Sequence, residues 1–251
     1  MITSSHVDVL KMFLELPVES ASPILDIFKS LPGVIARGHG LEQFVYVRGL
    51  RPNKALLVAH ADTVWDTAYG GPLRGEHPVI MAEGVIRSAD PSVGLGADDR
   101  AGCALLWLLR DMGHSLLITH GEEHGAKGSR WLMGAVGNED LAQEINSTHQ
   151  FMIQLDRRNG RDFKCYSVGT EQFRSYLQEV TGYSEPDRQY STDIVVLCRD
   201  VTGVNLSVGY HSEHTPQEYL CLAEWTHTLE ICQTWLAQPA LPRFDRPPPT
   251  Y

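Results

Sequence analysis

The stretch ALLVAHAD (55–62) decides the fold: five apolar residues end abruptly in a histidine and an aspartate. A short, unbroken apolar run bounded by the turn-like GLRPN (49–53) reads as a strand buried on both faces. Further buried runs follow downstream, SLLIT (115–119), FMIQL (151–155), IVVLC (194–198) and VNLSV (204–208). Upstream, FVYV (44–47) is another β-rich run. Helical patterns lie between them: Arg100 to Met112, Ser129 to Val136, Glu139 to Ile145 and Glu171 to Val180. The amino terminus, MITSSHVDVLKMFLEL, reads as an amphipathic helix. Ser22-Pro23 opens a surface helix that stops at Pro32-Gly33, and Gln217 to Leu236 reads as the last helix. Alternating buried strands and helices predict a layered α/β/α domain.

With 251 residues, 43% hydrophobic and 21% charged, the chain can fill one sizeable core. It reads as a single domain over 1–238 and a Pro-rich tail over 239–251, expected to run over the surface. A net charge of −10 repels a phosphate backbone, so nucleic acid is not an expected partner. No apolar run reaches the ~18–20 residues of a membrane span. The five cysteines form no CxxC pair and give no disulfide framework, so a reducing, cytoplasmic setting is expected.

In sheets of this kind ligand sites collect past the carboxyl ends of the strands. Those positions are almost all acidic or histidine: His60 and Asp62, Asp98 and Asp99, Glu122 and Glu123, Asp156, and His214. A single acid at a strand end is usually a cap or a surface charge. So many converging on one crevice would repel one another without a cation. Two imidazoles with three or more carboxylates suit zinc, with manganese or cobalt as substitutes. The set is large enough for two ions sharing a bridging carboxylate, plus one more carboxylate as a base.

Other motifs fail. GLGADD (94–99) has an aspartate where a dinucleotide fingerprint needs its third glycine, and GAKGS (125–129) lacks the Gly-Lys-Ser/Thr of a phosphate loop. NLSVG (205–209) lacks the first glycine of a nucleophile elbow. HGEEH (120–124) spells H-x-x-E-H, which on a helix would put two histidines on one zinc, but Gly121 and the preceding strand argue against a helix there.

HADTV (60–64), GADDRAG (96–102), GEEHGAKGS (121–129), the strand-end Asp156 and HTPQEY (214–219) together resemble the metal-site segments of the co-catalytic zinc exopeptidases of clan MH. That group includes peptidase T, aminoacylase and glutamate carboxypeptidase relatives, and leucyl and glutamyl aminopeptidases. The resemblance implies a three-layer α/β/α sandwich with a mixed, mostly parallel central sheet, of the phosphorylase/hydrolase-like kind. It implies two Zn2+ ions, one on His60, Asp98 and Asp156 and the other on Asp98, Glu123 and His214, with Asp98 as the bridge. Asp62 would orient His60, and Glu122 would serve as general base and acid toward a metal-bridging water. A cis peptide is implied between Asp98 and Asp99.

His211 is a rival for the last ligand position, although the HTPQEY context matches at His214. The aminoacylase-like relatives insert a lid between the third-strand acid and the final histidine, and too few residues separate Asp156 from His214 to hold one. The lid's oxyanion histidine and carboxylate-binding arginine therefore cannot be carried over. Tyr210 or His211 is the candidate for the oxyanion. STD (191–193) resembles a segment of lidless aminopeptidases in which the aspartate is structural.

The activity implied is hydrolysis of an amide, and aspartate at position 156, commoner among the aminopeptidases, points to peptides with a free amino terminus. An N-acyl-amino-acid deacylase or carboxypeptidase is the alternative. A metal-binding interaction module without turnover is a more remote one, since Glu122 and every ligand position are filled.

Overall fold

A computed structural model describes residues 4–69, 75–187 and 191–246. The main sheet contains β1 (Val34–His39), β2 (Glu42–Val47), β3 (Leu56–His60), β6 (Ser115–Thr119), β7 (Met152–Arg157), β8 (Phe163–Lys164) and β9 (Gly203–Ser207). A second sheet joins β4 (Val79–Ala82), β5 (Val85–Ser88), β10 (Tyr210–His211) and β11 (Tyr219–Cys221). The helices are α1 (Ser4–Leu14), α2 (Ser22–Lys29), α3 (Ala97–Leu109), α4 (Lys127–Gly134), α5 (Glu139–Ser147), α6 (Glu171–Thr181), α7 (Asp193–Leu197) and α8 (Leu222–Leu236).

The main sheet runs β1-β2-β6-β3-β7-β9-β8. Its centre, β6-β3-β7-β9, is parallel, and the pairs at each edge are antiparallel. The mixed, mostly parallel sheet is therefore present. Strand pleating sends successive side chains to opposite faces. Leu57 and Ala59 of β3 pack with α1, α2, α3, α6 and α8 in one hydrophobic cluster, while Leu56 and Val58 pack with α4, α5 and α7 in the other. These two clusters fill the spaces between three layers. No helix among the described residues is long and apolar enough to cross a membrane.

Two local expectations need correction. IVVLC (194–198) is not a strand: its first four residues belong to the short helix α7, and Asp193 and Ile194 are buried where α7 packs against β7 and β9. A five-residue apolar run carries no period long enough to separate a buried strand from a buried helix turn. The last helix begins at Leu222, because Tyr219–Cys221 pair with β5 as strand β11. The described part of the Pro-rich tail is exposed at Pro239, Ala240, Pro242, Arg243 and Asp245 and is anchored at Leu241 and Phe244. Phe244 is buried, its ring 5.0 Å from that of Phe173, its amide donates to the Gln150 carbonyl, and its own carbonyl accepts from Thr202. The apolar contact holds the chain down as far as Arg246; the remaining tail residues lie outside the described ones.

At the opposite end of the sheet from the acidic loops, the fully buried His149 sits 2.8 Å from the Ile145 carbonyl through Nδ1 and 2.7 Å from Ser115 Oγ through Nε2. Burial holds its imidazole down to about 4, with Lys54 adding to the effect against the hydrogen bond to Ile145. The unfolded chain therefore takes up this proton first as pH falls, so the stability contributed is complete above about 6.5 and is lost toward pH 4. Urea unfolding of wild type and His149→Gln should show their free energies converging by about 2–3 kcal/mol between pH 7 and 4.5. Parallel pH curves would contradict this.

Candidate metal centre

The parallel strands deliver the acidic and imidazole groups to one place. β3 ends at His60, whose Nε2 lies 3.1 Å from Asp98 Oδ1 and 3.4 Å from Asp156 Oδ1. Its Nδ1 is 3.1 Å from the Asp62 carbonyl, which fixes the ring and leaves Nε2 facing the carboxylates. The Asp62 carboxylate is buried, its Oδ1 3.6 Å from the same Nδ1. Oδ1 accepts from the amides of Gly121 (2.9 Å) and Glu122 (3.3 Å), and Oδ2 accepts from Glu123 (3.2 Å). One aspartate thus ties the end of β3 to the loop after β6.

Asp98 and Asp99 occupy the entry to α3 with non-helical φ/ψ, and the peptide between them is cis, as the resemblance implies. Asp98 faces the cluster. Asp99 faces inward, accepting from the amides of His60 (3.0 Å) and Gly102 (3.1 Å). Asp98 Oδ1 meets His60, and Oδ2 lies 3.1 Å from His214 Nε2, so this one carboxylate spans two histidines.

Asp156 is aimed by an irregularity in the β7–β9 pairing. The register breaks between Gln154 and Arg157, and the Asn205 side chain takes over the missing ladder bonds to the amide (3.0 Å) and carbonyl (2.9 Å) of Asp156. Such bulges re-aim side chains. The carboxylate then accepts from Gln154 (2.6 Å), Thr192 (3.2 Å) and the Tyr210 hydroxyl (3.2 Å).

Two groups of atoms that could hold a metal ion result, His60 with Asp98 and Asp156, and Asp98 with Glu123 and His214. Within each, the atoms lie within 4.8 Å of one another. Glu123 Oε1 is buried 3.1 Å from His214 Nε2 and has no hydrogen-bond donor. An orphaned carboxylate oxygen facing imidazole nitrogen is the arrangement a divalent cation satisfies, so the donor set fits metal. The electrostatics agree. Burial pushes Asp156 up to about 7, Asp98 adding to it and His60 opposing it. Burial also raises Glu122 well above the carboxylate range despite His60, with Asp156, Asp193 and Glu123 reinforcing the rise. Contacts with Asp98 and Glu123 push His214 up to about 11.

The groups open on a cavity of about 530 Å3 whose wall includes Asp98, Glu122, Glu123, Asp156, Tyr210 and His214. His211 is elsewhere, 2.6 Å from Glu224 and stacked on Tyr219, so it reaches neither the ligand groups nor the cavity wall. His120 pairs with Gln43 (2.9 Å), and residues 120–124 form no helix, which removes the H-x-x-E-H reading. Asp193 is fully buried and accepts from Thr119 (2.5 Å). Two features were not anticipated from the sequence: Arg157 and Arg158 on the cavity wall, and Glu218 behind Asp98. The arginines follow directly on Asp156, and that adjacency was the available signal.

No protein-family model matches the sequence, and no curated protein matches it. Solved structures do match. A tripeptidase from Staphylococcus aureus superposes with a TM-score of 0.67, at 14% identity, over 95% of this chain and 100% of its own. Aminopeptidase PepT from Bacillus cereus gives 0.61 at 15% identity, over 90% and 95%. An aminopeptidase from the archaeon Desulfurococcus kamchatkensis gives 0.62 at 12% identity, over 93% and 94%. The chain has the α/β fold of these peptidases, and identities this low establish likeness of fold alone.

Proposed function

We propose that this protein is a two-metal aminopeptidase acting on peptides with a free amino terminus. The observation that carries the reading is the pair of three-residue ligand groups joined through Asp98 at the carboxyl ends of parallel strands. His60, Asp98 and Asp156 would hold one ion, and Asp98, Glu123 and His214 the other. Zinc suits these nitrogen and oxygen donors, with manganese or cobalt able to substitute. When bound, the ions supply Lewis-acid polarisation of an amide carbonyl and acidify water.

Glu122 lies on the cavity wall outside both ligand groups. It is the base that takes the proton of the attacking water and the acid that passes it to the leaving amine. Asp62 serves by holding His60 and the Glu122 backbone in place, and Tyr210 is the candidate donor to the developing oxyanion. The unpaired cysteines support a cytoplasmic setting.

Arg157 and Arg158 favour a second reading. Each is ion-paired, with Asp162 and Glu213 respectively, and a substrate carboxylate could join either pair. That would suit a carboxypeptidase or an N-acyl-amino-acid deacylase. The two-metal reading itself is tested by chelation: dialysis against EDTA should abolish hydrolysis, and two equivalents of zinc or manganese should restore it. Undiminished hydrolysis by the metal-free chain would overturn it.

A further inference from the structure

The loop between β10 and β11 brings more to the centre than His214. Four residues on, Glu218 is 2% exposed, and its carboxylate reaches beneath the Gly94–Asp98 segment. Oε2 accepts from the Gly96 amide at 2.7 Å, and Oε1 accepts from the Asp98 amide at 3.0 Å. Neither amide has an obvious alternative. Gly96 has φ 66 and Asp98 has φ −79 with ψ 99, outside the helical range, so α3 cannot absorb them. A buried amide left unpaired costs about as much as a lost hydrogen bond or more.

The fit is close. A Cβ on Gly94 would lie 2.8 Å from Glu218 Oε2 and 2.7 Å from the Thr215 carbonyl, so glycine leaves the space the carboxylate occupies. The turn itself is closed by the Glu218 amide donating to Thr215 at 3.1 Å. Glu218 belongs to neither ligand group.

We propose that Glu218 is a positioning residue for the metal centre: it fixes the Gly96–Asp98 backbone so that the Asp98 side chain points between His60 and His214. The proposal rests on the two-metal reading above. Through it one loop supplies a ligand, His214, and the brace for the ligand shared by both groups. Removing the brace leaves the ligands in place chemically but frees the direction of Asp98. Loss of an outer partner of this kind typically weakens metal binding about 10–100-fold.

The test uses the full chain, stripped of metal and titrated with cobalt(II) followed by visible absorption. Amide hydrogen exchange at Gly96 and Asp98 is measured before metal is added. Glu218→Gln is expected to melt close to wild type without metal, to exchange both amides faster, and to bind cobalt about 10–100-fold more weakly. Wild-type exchange and wild-type affinity in Glu218→Gln, with two ions bound by the parent, would overturn the proposal and leave the two-metal reading standing. A parent that binds fewer than two ions would overturn both. If Glu218→Gln does not fold, Glu218→Asp keeps the charge and retracts it by one methylene. It should also bind cobalt more weakly, and unchanged affinity there would overturn the proposal.

Discussion

Replacing Glu122 by glutamine is expected to lower kcat about 10²–10⁴-fold while two metal ions remain bound. Glutamine keeps the size of the side chain and its place on the cavity wall but cannot accept and return a proton. Glu122 belongs to neither ligand group, and its backbone is held from Asp62, so the substitution leaves the ligands as they are. The loss should fall on kcat more than on KM, since the interaction removed is one made in the transition state. Steady-state kinetics beside metal analysis of the same preparation checks both halves. A variant with near-normal rates would remove Glu122 from the mechanism.

Asp98→Ala is expected to be more damaging, because it takes a ligand from both groups at once. Each group is left with two protein ligands, and both sites should weaken by more than the about 10–100-fold that loss of an outer partner costs. Hydrolysis should become undetectable. His60→Ala offers the contrast, since His60 belongs to one group, and metal analysis should find that variant still able to hold one ion tightly. Two tightly bound ions in Asp98→Ala would contradict the bridging assignment.

The central strands were legible because a strand buried on both faces is apolar throughout, and ALLVA, SLLIT and FMIQL each stop at the sheet's edge in a polar group. That same stop marked His60 and Asp156. The edge strands were not legible: β1 (VIARGH) carries arginine and histidine with its last four residues exposed, so it has no burial pattern to read. The β4–β5 hairpin turns at Glu83-Gly84, both at positive φ, and its four-residue strands VIMA and VIRS are too short to carry a period. IVVLC failed for the opposite reason, being apolar enough for either state.

The convergence of His60, Asp98, Glu123, Asp156 and His214 depends on strand order, which spacing along the chain does not contain; the resemblance supplied it. Glu218 was invisible for a related reason. Within HTPQEY a glutamate two residues past the proline looks like a surface charge until the fold lays two unsatisfied amides against it. The Asn205 contact that turns Asp156 likewise exists only once β7 and β9 are paired.

The most direct test of the aminopeptidase reading is a mass-spectrometric time course on a mixture of short peptides, each supplied free and N-acetylated, with the protein loaded with zinc or manganese. Stepwise loss of residues from free amino termini is expected, with the acetylated peptides untouched. Release of acetate or of carboxy-terminal residues would contradict it in favour of the carboxylate-binding reading through Arg157 or Arg158, and no cleavage with either metal would contradict the enzyme assignment itself.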